Sequence, residues 1–181
     1  MSATRLVTPD DAAILADLLR ANRDFLAPWD PIRDDDFFTV AGQRRVVRSA
    51  LEQHEQGSAL PHVIVDVDGR VVGRVSLTRI TRAPFQSCTL GYWVSAADNG
   101  RGLAAAAVHD IVQAAYDGLG LHRIEASTQV HNVKSQRVLE RNGFFRIGVA
   151  AEYLNIDGDW KDVALYQLVK SQRDLQPASP R

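Results

Sequence analysis

A chain of 181 residues with 45% apolar side chains and a formal net charge of −1 holds enough apolar material for one domain with its own core, which excludes a disordered polar chain. The near-zero charge gives no general attraction to nucleic acid or anionic lipid, so any anion site has to be local. Cys88, the single cysteine, excludes an intramolecular disulfide and a cysteine-based zinc site and suits a reducing compartment.

No apolar run of ~18 residues and no signal pattern is present, so the expectation is a soluble, cytoplasmic protein without a membrane or nucleic-acid partner. Arg5–Val7 reads as a short first strand. Thr8-Pro9-Asp10-Asp11 follows as N-cap, proline at the first helical position and acids in the first turn. The helix runs to about Arg20 with Ile14, Leu15, Leu18 and Leu19 on one face. The segment Asn22–Pro31, NRDFLAPWDP, is broken by two prolines yet carries Phe25, Leu26 and Trp29. These either plug the core beneath a loop or wall a substrate cleft.

Asp34–Glu55 is a second helical region, interrupted near Gly42, with Val46, Val47, Ala50 and Leu51 on one side. Pro61–Val67 and Arg70–Ile80 form a hairpin across a two-residue Asp68-Gly69 turn, and Ser87–Val94 adds a third antiparallel strand. That strand leads through Ser95–Arg101 into a helix from Gly102 to about Gly118, with Ala104, Val108, Ile111 and Ala115 as its buried stripe. Gly100 and Gly102 stand at its first turn, where unpaired N–H groups and the positive dipole end form an anion cradle open to a diphosphate, and Arg101 adds charge. The same residues also suit a plain strand-to-helix turn. No Lys-Ser/Thr pair follows, which excludes a P-loop, and the spacing is not the dinucleotide G-x-G-x-x-G.

His122–Gln129 is the next strand, and the strand-helix-strand unit implies a right-handed crossover and parallel pairing. Asn132 caps a helix to Arg141 that Asn142-Gly143 stops. Phe144–Ile156 and Asp159–Val169 close the fold as a hairpin at Asp157-Gly158. One domain over residues 1–170 and a flexible C-terminal tail over 171–181 are expected.

Asn99-Gly100-Arg101-Gly102-Leu103-Ala104 resembles the acyl-CoA loop Gln/Arg-x-x-Gly-x-Gly/Ala of the GCN5-related N-acetyltransferase superfamily, with Asn99 departing from the usual Gln or Arg. The resemblance runs from Arg5 to Lys170. NRDFLAPWDP, NVKSQRVLERNGF from Asn132 and AEYLNIDGDWKD from Ala151 are similar to the RimJ/RimL branch, which acetylates N-termini of ribosomal proteins. This implies an α/β fold: a mixed, mostly antiparallel twisted sheet, flanked by helices, in which the parallel strands Ser87–Val94 and His122–Gln129 splay apart. It also implies acetyl-CoA as co-substrate and no metal. The pantetheine arm would lie in the splay, the pyrophosphate on Asn99, Gly100, Arg101, Gly102, Leu103 and Ala104, and the thioester carbonyl near the Val94 amide.

By the same resemblance Ser135 is the acid for the leaving thiolate and Glu152 the general base. Ser135 shares an apolar face with Val138 and Leu139, but it also sits at N3 behind the Asn132 cap, where its hydroxyl can simply bond the helix end. Asn132 is a cap that can also contact the co-substrate, whereas the isolated His131 reads as structural. Glu152 has strand parity with Ala150 and Leu154, which puts a carboxylate on an apolar face and raises its expected pKa; the alternative is a solvent-facing edge acid. Phe25, Trp29 and Tyr153 are candidate acceptor contacts, with Trp160 beside them.

An α-amine, with a pKa of about 8, yields its proton more readily than a lysine at about 10.4, so a protein N-terminus is the favoured acceptor. A small amine such as an antibiotic or polyamine, drawn by an acidic rim at Asp34, Asp35 and Asp36, is the rival enzyme reading. A non-catalytic acyl-CoA-binding sensor is the third, and a homodimer is compatible with the chain.

Overall fold

Alternating apolar residues lay down β2 (Leu60–Val65), β3 (Val71–Thr81) and β4 (Ser87–Val94) as consecutive antiparallel partners. The computed structural model describes residues 2–170; the expected tail lies outside the described residues. With β1 (Thr4–Leu6), β5 (Arg123–Gln129), β6 (Phe145–Ile156) and β7 (Asp159–Val169), these strands form a seven-stranded sheet in the order β1-β2-β3-β4-β5-β7-β6. The β4–β5 pair is parallel and the rest antiparallel, as the resemblance implied.

Helices α1 (Asp11–Ala21) and α3 (Val40–Glu55) cover one face, closing over Val7, Leu15, Val47, Val63 and Val71. On the other face α4 (Leu103–Gln113) buries Val108 and Ile111 against Val75, Leu77, Leu90 and Ile124. The α4 helix ends in a π-turn over Ala114–Gly118. Beside it lies α5 (Val133–Arg141), stopped at Gly143 (φ 83°) by the paired bonds Phe144 N–H to Leu139 O and Gly143 N–H to Glu140 O. No helix among the described residues is long and apolar enough to cross a membrane.

Four local expectations differ. The first helix begins at Asp11 behind Asp10, and Thr8 gives it no side-chain cap, because the Thr8 hydroxyl donates to the Asp11 carboxylate. The β2–β3 connection spans residues 66–70 and is wider than a two-residue turn, because the buried Asp66 carboxylate accepts the Asp68 and Arg70 amides while Asp66 N–H donates to Arg70 O. The break in the second helical region falls at Thr39, whose hydroxyl caps Gly42 N–H after a 3-10 turn at Asp35–Phe38. Gly42 is needed for close approach, since a Cβ there would lie 1.9 Å from Asp36 O. Asn22–Pro31 is partly ordered as α2 (Arg23–Leu26) and a 3-10 turn at Ala27–Trp29.

At the start of α1 the Asp11 carboxylate reaches back to accept from Thr8 N–H and Thr8 Oγ1, and both its oxygens meet the Arg5 guanidinium at 2.7 Å. Burial by itself would raise the Asp11 pKa, but these donors outweigh it and hold the carboxyl below the usual range. The contribution is therefore present above ordinary carboxylate pKa values and is lost as pH falls through the lowered one. Asp11→Ala is expected to cost about 1–3 kcal/mol, read as a lower urea midpoint at pH 7 with a smaller difference from wild type in acid.

Candidate active site

The sheet opens where β4 and β5 part. They pair only over Ser87–Leu90 against Arg123–Ala126, although β4 stays on β3 to Val94 and β5 stays on β7 to Gln129. Ser95 N–H donates to Val72 O at 2.8 Å. Amide direction alternates along a strand, so Trp93 also faces β3 and the Val94 N–H faces the gap. An unpaired strand donor in a cleft calls for a ligand carbonyl.

The loop after β4 is pinned from three sides. Asn22, buried at the end of α1, accepts Ala96 N–H at 2.8 Å and donates to Ser95 Oγ at 3.3 Å. Asn99 turns its amide back onto Ser95 O at 2.9 Å, so that side chain holds the loop. Asp98 is buried and receives Arg70 and Arg101 at 3.1 and 2.7 Å. The charge expected from Arg101 is thus spent inside the loop.

Gly100 and Gly102 both have positive φ, 79° and 78°, and a Cβ on either would meet no atom within 4 Å. No side chain caps α4, so its first amides are open to a ligand. Facing them across a groove of about 410 Å³ are Lys134, Arg137 and Arg141 on α5. Three cations opposite a glycine turn at a helix start suit a diphosphate. They escaped the sequence reading, yet their spacing of three and four residues places them on one helix face. Arg137→Ala is expected to weaken CoA binding about tenfold at low salt and less at high salt, and Arg101→Ala to have a smaller effect, both by calorimetry.

This groove and a second cleft of about 400 Å³ share Val94, Asn99, Ala104, Lys134 and Val138, so they form one trench. At its inner end Tyr92 Oη lies 2.9 Å from Ser135 Oγ and donates to Ser135 O at 3.1 Å. Burial pushes the Tyr92 phenol up to about 12, with the Ser135 hydrogen bond opposing, so it keeps its proton at neutral pH. Tyr92 was not singled out in the sequence, although its parity with Leu90 and Val94 set a hydroxyl on an apolar strand face. Asn132 Oδ1 accepts Ser135 N–H at 3.1 Å and lines the cleft as well. The cap needs only the Ser135 backbone, which leaves its hydroxyl to Tyr92.

Phe25 and Trp29 are each 37% exposed and line the same cleft, with Trp29 5.5 Å from the His131 ring. They are wall residues, held over the splay by Gln129 Nε2 donating to Pro28 O at 2.6 Å.

Glu152 stands apart. The β6–β7 register slips between Ala150 and Leu154, and Glu152 takes φ 47° with its N–H on Asp162 Oδ1 at 2.9 Å. Glu152 thus lies in an irregular stretch of the ladder and is exposed, so the apolar face expected around its carboxylate is not formed. Tyr153 lines a small cavity with Thr89 and Glu125, and Trp160 is exposed. The acidic run is engaged: Asp34 caps Phe37 N–H, Asp35 pairs with Arg23, and Asp36 with Arg45.

The chain matches the family model described as Acetyltransferase (GNAT) domain over residues 4–145. It is 36% identical over 165 residues, 91% of this chain and 85% of the relative, to the ribosomal protein uS5-alanine N-acetyltransferase of Escherichia coli (strain K12). It is 39% identical over 142 residues, 78% of each chain, to the probable N-acetyltransferase YjcK of Bacillus subtilis (strain 168). The solved structure of Mycobacterium smegmatis RimJ in complex with CoA-disulfide is similar at TM-score 0.91 and 30% identity, over 97% of this chain and 84% of that one.

Proposed function

Because the chain belongs to the GNAT acetyltransferase family, we propose that it acetylates the N-terminal α-amine of a protein, of the ribosomal-protein type, using acetyl-CoA. The observation that carries the reading is the single trench, which joins a diphosphate cradle, an open strand donor and the Tyr92–Ser135 pair. Similarity to the uS5-alanine enzyme over 91% of the chain supports the acceptor class.

Bound acetyl-CoA supplies an acetyl group activated as a thioester. The amides at the start of α4, with Lys134, Arg137 and Arg141, hold its phosphates, and Gly100 and Gly102 let them approach the backbone. Val94 N–H stabilises the negative charge that grows on the carbonyl oxygen as the amine attacks. Ser135 Oγ hands its proton to the departing sulfur while Tyr92 Oη turns its one proton from Ser135 O onto the serine oxygen. The phenol regains a proton from water before the next turnover, and its high pKa keeps it protonated between turnovers. Phe25 and Trp29 wall water away from the reacting groups.

Glu152 takes the amine proton through water. The support is the resemblance of Glu152-Tyr153-Leu154-Asn155 to the same segment of the RimJ/RimL branch; Glu152 is exposed and outside the residues that line the trench, so the transfer runs through solvent water. Glu152→Gln is expected to lower the rate about tenfold near pH 7 and to recover above about pH 9, where the α-amine is neutral unaided; a pH-rate profile measures this.

The acceptor is tested by acetyl-CoA consumption with a panel of N-terminal peptides. Labelling is expected on the α-amine, to vanish when that amine is blocked, and to spare internal lysines by mass spectrometry. Rapid labelling of a polyamine with none on peptides would overturn the acceptor, and no consumption with any amine would leave a sensor.

A further inference from the structure

The sheet face beneath α1 and α3 carries a charge that the reaction above does not use. Arg74 in β3 stands directly opposite Trp93 of β4 and lines a cavity of about 500 Å³ floored by Ser76, Thr78 and Thr89. Among the described residues its guanidinium has no hydrogen bond and no ion pair. Burial lowers its pKa with no carboxylate to oppose the shift. The other charged side chains on this wall, Asp30 and Arg33, pair with each other at 3.2 Å. The cavity therefore holds one uncompensated cation, which is costly to desolvate unless an anion arrives with the ligand.

Trp29, Tyr92 and Trp93 line both this cavity and the reaction cleft. Arg74 and the Tyr92 hydroxyl point to opposite faces of the sheet, and the two spaces join at Trp29, Tyr92 and Trp93, so a peptide whose amine reaches Tyr92 through the splay leaves its following residues on the Arg74 face. Extended residues advance about 3.5 Å each and neighbouring strands lie about 5 Å apart, so Arg74 falls within reach of the acceptor's second to fourth residues.

We infer that Arg74 is an acceptor-specificity residue that binds an acidic side chain within the first four residues of the substrate protein. The inference rests on the peptide-acceptor reading, and it names the class of N-terminus the site takes: a carboxylate forms a forked pair with the guanidinium, and the Ser76, Thr78 and Thr89 hydroxyls add donors. It makes no claim on the chemistry at Ser135.

The test uses peptide pairs alike except for Glu or Gln at the second, third or fourth position. The full-length protein is expected to favour one Glu peptide by about tenfold or more in kcat/KM. Arg74→Gln should erase that preference and Arg74→Lys should keep part of it, because a lysine retains charge without the fork. Equal kcat/KM for every pair in the wild-type protein, or a preference that survives in folded Arg74→Gln, overturns the inference. If a polyamine is acetylated and no peptide is, the proposed acceptor falls by itself. Tryptophan fluorescence at Trp29 and Trp93, titrated with the same pairs, then decides Arg74 without turnover: equal affinity for Glu and Gln peptides overturns it. Should Arg74→Gln fail to fold, the wild-type pairs still decide, since equal rates there suffice to overturn it.

Discussion

Gly102→Val is expected to fold and to lose CoA affinity by about a hundredfold or more. The residue caps α4 at φ 78° and ψ 0°, and a Cβ there meets no atom of the protein within 4 Å. The new side chain therefore clashes with nothing inside the fold and projects where a phosphate must approach the helix amides. The left-handed conformation costs a β-branched residue about 1–3 kcal/mol, so the melting temperature should fall without loss of the folded state. Gly102→Ala, with the same strain and a smaller obstacle, should bind more weakly than wild type and more tightly than valine. Calorimetry showing wild-type affinity in a folded Gly102→Val protein would remove the diphosphate from this turn.

Ser135→Ala is expected to lower kcat by about 10²–10⁴ while the CoA dissociation constant stays within about twofold. The cap at Asn132 survives the change, because Asn132 Oδ1 accepts the backbone N–H of position 135 and not its side chain. Stability should then drop by less than about 1 kcal/mol, and turnover per folded molecule separates chemistry from helix stability. Tyr92→Phe should also slow the reaction, since Ser135 loses the partner at 2.9 Å that resupplies its proton. If folded Ser135→Ala turns over normally, the hydroxyl plays no part in releasing the sulfur.

Local signals set most of what the sequence determined. The span of β4 and β7, the glycine turn before α4, the Asn132 cap and the Gly143 stop each depend on residues within about four positions, because caps and turns satisfy backbone groups of their own neighbourhood. The Asp157-Gly158 hairpin turn is of the same kind, with both residues at positive φ. The parallel pairing followed from the strand-helix-strand unit, and only the splay came with the resemblance.

Tertiary structure decided which side chains meet across the splay. Tyr92 and Ser135 are 43 positions apart, and their contact follows from where the parallel pairing stops and how α5 rotates against α4. The same rotation turns Lys134, Arg137 and Arg141 onto the glycine groove, whereas the buried Asp98 draws Arg101 away from it. Glu152 shows the limit most plainly: a period of two predicted its face, but between Ala150 and Leu154 four steps of β6 stand against two of β7, and Glu152 falls in that irregular stretch, which a regular strand pattern does not contain. Arg74 alternates normally in β3, and only the packing of α1 and α3 over it left its charge without a partner.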